Sequence, residues 1–269
     1  MGFHIFEQVA GKIKPTSEGQ VYLEHARQIL GIDAALMEHL EKIRIHKSGV
    51  VRVGVSTTRS AYVLPNILYA CKESYPDIEV KILEGISKEL EEMAYHREVD
   101  FILSNLPFQK YPLQYKELFE EQAVLVVPAQ FELCEKAQPR SGYKYPWIDV
   151  KSLEQVPITL LKPGQRLREI VDSLFLVAGM IPTTFLETQN AETAFALAEK
   201  GLSTCLIYDS YFTARPSMQV MPFSVGEAPI CHQYVAAYPS DAQLSTSAQV
   251  IMETIISCAK EYGLKMGPN

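Results

Sequence analysis

Small polar residues cluster where predicted strands of this sequence give way to predicted helices. A helix N-terminus leaves backbone N–H groups unpaired and carries the positive end of the helix dipole, so it favours an anion. The junction residues are Ser56, Thr57, Thr58, Ser60, Ser87, Gly164, Gln165, Arg166, Asn190 and Thr193, with Ser104 and Asn105 at the end of a strand. Each junction alone is more often an ordinary helix cap, because Ser, Thr and Asn are preferred capping residues. Their recurrence favours an anion-binding site.

Catalytic and metal-binding signatures are absent from the sequence. It contains no H-E-x-x-H, no G-x-S-x-G, no Walker loop and no G-x-G-x-x-G. Cys231 and His232 are adjacent on a predicted strand, so their side chains point to opposite faces and are poorly placed as a nucleophile–base pair. The paired glutamates at 91–92 and 120–121 are interpreted as solvated charge. We therefore expect no catalytic residue, no metal site and no cofactor.

From residue 50 onward, the elements that position these residues alternate between strand and helix. Strands are predicted at 50–56, 78–83, 100–104, 123–127, 158–161, 184–187, 205–208 and 234–238, and helices at 64–75, from Ser87, and at 167–178, 191–200 and 246–262. A βαβαβ order indicates a parallel sheet with helices on its faces. Two such α/β lobes joined by crossing strands form a cleft, and clefts between lobes bind small ligands.

The first fifty residues have a different composition. They contain six Lys or Arg and six Asp or Glu, so the other residues carry the whole net charge of −7. Residues 11–15 are predicted to form a short ribbon or turn with Lys12 and Lys14. Thr16 or Ser17 is the candidate N-cap of the helix that follows, and Ser17 fits a capping box with Gln20.

This helix has one apolar seam with alternating spacings of four and three residues. Its positions are Tyr22, Ala26, Ile29, Asp33, Leu36, Leu40 and Ile43. Such spacing is typical of a helix that packs against a partner along its length, and a helix of about 30 residues spans about 45 Å. We expect a second copy of the chain to cover the seam, in a dimerisation helix. The alternative is that the helix lies on its own domain.

Targeting, membrane and redox signals are also absent. Residues 1–10 lack a basic start followed by an apolar core, so they do not form a secretory signal. The longest apolar runs are far shorter than the roughly 20 residues that span a bilayer. Five scattered cysteines without a C-x-x-C pattern are typical of free thiols in a reducing compartment. We expect a cytoplasmic protein without a membrane partner.

Charge argues against DNA binding by this chain alone, because a duplex requires a basic face. The net charge is −7 and the pI is about 5.5. The acidity is nevertheless confined to the α/β lobes, since the first fifty residues are neutral.

Residues 3–19 (FHIFEQVAGKIKPTSEG) resemble the segment of LysR-type transcriptional regulators that runs from the end of the recognition helix through the wing. In this resemblance IFE stands for the family's LFE, Lys12 and Lys14 for the basic wing, and PTSEG for the LT-x-AG helix start. Residues 51–65 (VRVGVSTTRSAYVLP) resemble the opening of the family's effector domain, and 75–85, 99–104 and 199–202 continue in register. The chain is identified as a member of this family.

The sequence also departs from the family pattern. Family members normally carry further residues upstream that include both helices of the helix-turn-helix, whose second helix enters the major groove, and Gln8 stands where the family usually has Arg. A late start codon, a truncated product and an expressed fragment all fit this difference. Lys12 and Lys14 are expected to contact the DNA backbone, with DNA a partner only if the reading helices are present.

The fold that the resemblance implies is a two-lobed, periplasmic-binding-protein-like (type II) effector domain preceded by a winged-helix remnant and a long linker helix. The expected limits are 1–16 for the wing, 17–48 for the dimerisation helix and 49–269 for the effector domain, with lobe I at about 49–127 and 233–269 and lobe II at about 128–232.

This fold places the strand-to-helix junctions at the cleft between the lobes. Ser56 to Thr58 are expected to face Gln165 and Arg166 across the cleft and to hold a carboxylate-bearing small molecule. Arg166 could instead be a surface residue paired with Glu169. We expect ligand binding to change the relation of the lobes and hence the dimer or tetramer. The alternatives are a periplasmic-type solute-binding protein and, less favoured, an enzyme on the same fold.

Overall fold

The computed structural model describes residues 4–9, 12–46 and 49–266. The chain divides into two compact units, Met1–Gly49 and Val50–Asn269. No described helix has the length and apolar character needed to cross a membrane.

The first unit begins with a ribbon and continues as one long helix. Strands β1 (Phe6–Val9) and β2 (Lys12–Pro15) pair antiparallel, and helix α1 spans Ser17–His46. Thr16 is the N-cap, because its hydroxyl accepts the backbone N–H of Gly19 at 2.9 Å. The capping box predicted for Ser17 is wrong.

Instead of capping, the Ser17 hydroxyl donates to Glu18. Gly19 is needed for a close approach, since a Cβ there would overlap the carbonyl oxygen of Ile5. That carbonyl accepts the backbone N–H of Thr16, so the start of the ribbon is joined to the start of the helix.

The predicted seam of α1 is uncovered within the unit. Tyr22, Ile29 and Leu36 are 44%, 66% and 53% exposed, and Ala26 is half-buried. The side chains of Leu40 and Ile43 lie outside the described residues, so the seam is observed over its first half only.

The second unit contains the predicted α/β series. In chain order its first part is β3 (Gly49–Ser56), α2 (Thr57–Ser74), β4 (Ile78–Gly85), α3 (Ser87–Tyr95), β5 (Phe101–Asn105) and β6 (Leu113–Pro128). Two 3-10 helices follow, at Glu132–Lys136 and Val150–Leu153. The other elements are β7 (Trp147–Ile148), β8 (Pro157–Leu161), α4 (Arg166–Val177), β9 (Thr183–Thr188), α5 (Ala191–Glu199), β10 (Thr204–Tyr208), α6 (Asp209–Ala214), β11 (Val220–Val225), β12 (Cys231–Pro239) and α7 (Thr246–Met266).

One long strand joins the two lobes. The sheet order is β4-β3-β5-β12-β6-β10-β8-β9, with β11 beside β6 and β7. The first part of β6, up to Gln122, pairs with β12, whereas the part from Ala123 pairs with β10 and β11. Strand β6 therefore crosses from lobe I to lobe II between these residues. The domain limits given above stay predictions.

Each lobe has its own core. In lobe I, Val53, Ile67 and Ile251 belong to one buried cluster, with α2 and α7 packed on the sheet. In lobe II, Leu160 and Phe175 belong to a second buried cluster, formed with α4. The polar groups between the lobes are therefore positioned by two separate cores, which also meet where Tyr62 of α2 packs against a third buried cluster in lobe II.

The interpretation of both glutamates at 91–92 as solvated charge is wrong for one of them. Glu91 on α3 is 2% exposed, because its carboxylate accepts the backbone N–H groups of Gln109 and Lys110. The neighbouring Glu92 reaches Lys110 at 3.1 Å on the surface, as a solvated charge should.

Candidate functional site

Three helices begin around one small cavity between the lobes. The N-termini of α2, α3 and α4 meet the carboxyl ends of β3 and β5 there, and the cavity volume is about 20 Å³. It is lined by Ser56, Thr57, Arg59, Ile86, Ser87, Ser104, Asn105, Leu161, Gln165, Arg166, Leu167 and Tyr208.

The cavity brings seven of the predicted site residues together. They are Ser56, Thr57, Ser87, Ser104, Asn105, Gln165 and Arg166. Ser87 is the first residue of α3 rather than its cap, since Ile86 occupies the N-cap position and its N–H donates to Glu89. The side chain of Thr58 lies outside the described residues.

Four other predicted residues do not line the cavity. The hydroxyl of Ser60 donates to the carbonyl of Thr57, and Gly164 lies in the turn before α4 with φ of +87°. The side-chain oxygen of Asn190 accepts the N–H of Glu192 as the N-cap of α5. Thr193 lines a separate surface recess of lobe II.

Gln165 is a structural residue of the cavity wall. Its side-chain oxygen accepts the N–H of Lys162 at 3.1 Å, and its amide nitrogen donates to the carbonyl of Gln189 at 2.9 Å. Both polar atoms are therefore used within lobe II. The predicted ligand contact of Gln165 would use the second N–H of its side-chain amide, and it stays a prediction.

Three donors at the cavity lack an acceptor among the described residues. They are the hydroxyls of Ser56 and Tyr208 and the Nε–H of Arg166, each buried and without a hydrogen-bond partner. We call these three residues the cleft cluster. Buried polar groups are normally paired, so unpaired ones call for an explanation such as a ligand or a water.

The start of α2 also has no side-chain cap. Ser56 is the N-cap residue, yet its side chain makes no capping hydrogen bond, and the first turn carries no acidic residue. Likewise α4 begins without a side-chain cap. Both helix dipoles therefore direct positive potential at the cavity.

Arg166 is mostly buried rather than a surface residue, and its ion pair with Glu169 is long. Its side chain is 12% exposed, and its Nη1 lies 4.0 Å from the Glu169 carboxylate. Its Nη2 donates to the carbonyl of Pro107 in lobe I at 2.7 Å. The residue thus connects the two lobes, and its Nε–H is left unpaired.

A second polar group, which we call the hinge cluster, extends from the cavity wall. Arg59 and Asn105 line the cavity, and Glu121 and Ser210 complete the cluster. Arg59 is 1% exposed and forms a bidentate ion pair with Glu121 on the crossing strand β6. Asn105 and Ser210 each donate to the same carboxylate at 2.7 Å. The cluster joins α2 and β5 of lobe I to α6 of lobe II.

Aromatic rings enclose the Arg59 guanidinium. It lies 4.5 Å from the ring centre of Tyr208 and 4.2 Å from that of Tyr234. Burial alone would lower the pKa of Arg59, but the Glu121 carboxylate more than offsets this, and the pKa lies well above its ordinary value. Arg59 therefore stays charged at neutral pH.

Sequence reasoning missed Arg59, Glu121 and Tyr208. The interpretation of Glu121 as solvated charge is wrong, because its side chain is fully buried against Arg59. One signal was present: an arginine in the first turn of a helix is disfavoured by the helix dipole, so it calls for a carboxylate partner. The partner is 62 residues away in the sequence, at no fixed spacing.

A larger groove lies on lobe II, next to α4. Its volume is about 700 Å³, and Trp147, Leu174 and His232 are among its lining residues, with Arg166 shared between groove and cavity. Asp149, Lys151 and Glu227 add charges of both signs. The described residues contain no group of three His, Cys, Asp or Glu placed to hold a metal ion.

Comparison with known proteins agrees with the geometry. The family model of the LysR substrate binding domain matches residues 45–257. The transcriptional dual regulator GltC of Bacillus subtilis (strain 168) is 24% identical over 254 residues, covering 94% of this chain and 81% of that protein.

Solved structures show the same fold. A full-length OxyR variant from Pseudomonas aeruginosa superposes with a TM-score of 0.75 at 19% identity, covering 94% of this chain and 85% of that one. The CcmR regulatory domain of Synechocystis PCC6803 in complex with 2-PG gives a TM-score of 0.69 at 19% identity, covering 79% and 98%. The expected two-lobed, periplasmic-binding-protein-like architecture is confirmed. The chain belongs to the LysR family of transcriptional regulators and carries the family's effector-binding domain.

Proposed function

We propose that this protein senses a carboxylate-bearing small molecule in the cavity between its lobes. The observation that carries the proposal is the cleft cluster: three buried donors, from Ser56, Arg166 and Tyr208, surround one cavity without acceptors among the described residues. An anion with several lone pairs would accept from all three.

Charge supports an anionic ligand. No Asp or Glu is among the described residues that line the cavity, and Arg59 is neutralised by Glu121. Arg166 and the starts of α2 and α4 remain as the sources of positive potential. The related CcmR domain was solved with 2-PG, and binding of a comparable small molecule here is part of the proposal.

Ligand binding would act through the relation of the lobes. Arg166 contacts lobe I through Pro107, and Ser210 contacts the crossing strand through Glu121. A ligand that favours one arrangement of the lobes would change its population, provided that its affinity for the two arrangements differs.

Self-association and DNA binding complete the proposal. The exposed seam of α1 would pair with a second copy, so that the chain forms a dimer or tetramer. Lys12 and Lys14 on β2 would contact the DNA backbone once reading helices precede them; the side chain of Lys12 lies outside the described residues, and that of Lys14 is exposed. The relatives are transcriptional regulators, and we propose a cytoplasmic regulator that is not an enzyme.

Titration calorimetry against a panel of organic acids and amino acids tests this proposal. Wild type is expected to bind at least one acid, and Ser56→Ala and Arg166→Ala should weaken that binding. Thr193→Ala is the matched control, because Thr193 lies outside the cavity. Unchanged affinity in both cavity variants, or no acid bound at all, would overturn the proposal.

A further inference from the structure

The link between β5 and β6 crosses to lobe II next to the cavity. Residues 106–111, which we call the latch segment, belong to lobe I but reach α4 of lobe II. The carbonyl of Pro107 accepts from Arg166 at 2.7 Å, and the side-chain amide of Gln109 donates to Glu169 at 3.4 Å. The lobes therefore touch directly at Arg166, which also lines the cavity.

The latch segment is held in place from lobe I. The buried carboxylate of Glu91 accepts the backbone N–H of Gln109 at 3.0 Å and that of Lys110 at 3.0 Å. The ring of Tyr111 stacks on Tyr95, with 4.3 Å between the centroids. The segment is therefore attached to α3 and contacts lobe II as part of lobe I.

The enclosed space is small. The cavity measures about 20 Å³, whereas roughly 10–15 Å³ holds one water and about 150 Å³ is known to hold a benzene ring. Any carboxylate would therefore require the lobes to separate, and an aromatic ring would require a wider separation than a short chain does.

The floor of the cavity is rigid. Tyr208 is 5% exposed, and its ring packs beneath Arg59 and against the edge of the His232 ring. Burial raises the pKa of its hydroxyl, which therefore stays protonated and can donate. This donor cannot withdraw to make room for a larger molecule.

We propose that the cavity selects a compact monocarboxylate of about two to four carbon atoms, held by the hydroxyls of Ser56 and Tyr208 and the Nε–H of Arg166. The contacts of the latch segment with α4 resist a wider separation of the lobes and so exclude aromatic acids. Arg166 has two roles in this arrangement. Its Nε–H faces the ligand, and its Nη2 holds the latch segment, so a bound carboxylate stabilises the closed lobes. The inference rests on the proposed function and adds the size class of the ligand.

Calorimetric titration of the whole chain with acetate, glycolate, pyruvate and benzoate tests the size class. At least one of the short acids is expected to bind at least 100-fold more tightly than benzoate. Equal or tighter binding of benzoate would overturn the inference while leaving the proposed function intact. Binding of larger acids alone would do the same, whereas absence of binding by any acid would overturn both.

Two variants test the residues. Tyr208→Phe keeps the ring and removes one donor, so affinity for the short acid should fall about tenfold. Tyr211→Phe is the control, because that hydroxyl contacts Arg215 outside the cavity; it should leave affinity unchanged. Glu91→Gln weakens the hold on the latch segment and should raise the affinity for benzoate relative to the short acid about fivefold or more. An unchanged ratio, or equal effects of the two tyrosine variants, would overturn the assignment.

Discussion

Two buried polar clusters lie side by side in this protein and differ in how their hydrogen bonds are completed. In the hinge cluster, the Glu121 carboxylate accepts from Arg59, Asn105 and Ser210. In the cleft cluster, the donors of Ser56, Arg166 and Tyr208 have no acceptor among the described residues. The first cluster is complete among the described residues, whereas the second leaves three donors for the carboxylate that we propose.

The difference distinguishes polar groups that are buried for the stability of the fold from polar groups that are buried for ligand binding. A buried donor without an acceptor costs about 1–3 kcal/mol, so the cleft cluster lowers the stability of the empty protein. A carboxylate bound there would accept these hydrogen bonds and so offset this cost. The hinge cluster is expected to determine the stability of the fold, and the cleft cluster the affinity for a ligand.

Glu121→Ala would break the hinge cluster and have the largest effect. It leaves Arg59 buried without its counter-charge, so the free energy of unfolding should fall by about 3–5 kcal/mol. Urea denaturation measures the loss. Glu120→Ala, at the exposed neighbouring position, should change stability by no more than about 0.5 kcal/mol; similar losses in the two variants would remove the distinction.

Arg166→Ala would break the cleft cluster. Affinity for the bound carboxylate should fall about 10- to 100-fold, because a charged hydrogen bond is lost, as calorimetry would show. Arg168→Ala is the matched control on the same helix, since Arg168 pairs with Asp172 and Glu187 near the surface. Equal affinity losses would mean that general charge, rather than the cavity, attracts the ligand.

Alkaline pH should weaken the fold through the two tyrosines that flank Arg59. Burial raises the pKa of Tyr208 and of Tyr234 above the ordinary value near 10. Above about pH 10 the unfolded chain loses these protons and the folded chain keeps them, so the free energy of unfolding falls by up to about 1.4 kcal/mol per pH unit for each tyrosine.

Urea denaturation from pH 9 to 11 measures this slope. The double variant Tyr208→Phe, Tyr234→Phe should show a shallower fall, while Lys144 and other groups with raised pKa values keep their own contribution. A slope that is the same in wild type and in the double variant would contradict the protonation of these two hydroxyls in the folded state.

Asn190→Ala should have the smallest effect of these variants, and it should lower stability without changing affinity. The variant loses the cap of α5, which costs about 1 kcal/mol of stability, because the Asn190 side chain accepts the N–H of Glu192. Affinity for the carboxylate should stay the same, since Asn190 does not line the cavity. A weaker affinity would mean that Asn190 belongs to the ligand site, as the sequence analysis predicted.

Local patterns in the sequence predict most of the fold. Alternation of apolar runs with glycine and proline breaks predicts most elements of the second unit and its two lobes. The patterns miss the first half of β6, β7, α6 and β11. Helix α6 has only six residues, and β11 contains Pro222 within a pairing strand. Long-range pairing rather than propensity makes these two elements.

The candidate site is predicted only in part for the same reason. Helix starts are local signals, so Ser56 and Arg166 are found from the sequence. The pairing of Arg59 with Glu121 depends on the crossing of β6, which no local spacing encodes. Asn190 illustrates the opposite case, because it caps α5 away from the cavity, and capping uses the same residue types as ligand binding.

A crystal structure of the whole chain with a bound carboxylate would test the central claim most directly. The account predicts the carboxylate in the cavity between the lobes, within about 3 Å of Ser56 Oγ, Arg166 Nε and the Tyr208 hydroxyl, with the hinge cluster unchanged. A ligand in the groove beside Trp147 on lobe II, with these three donors still unpaired, would contradict it.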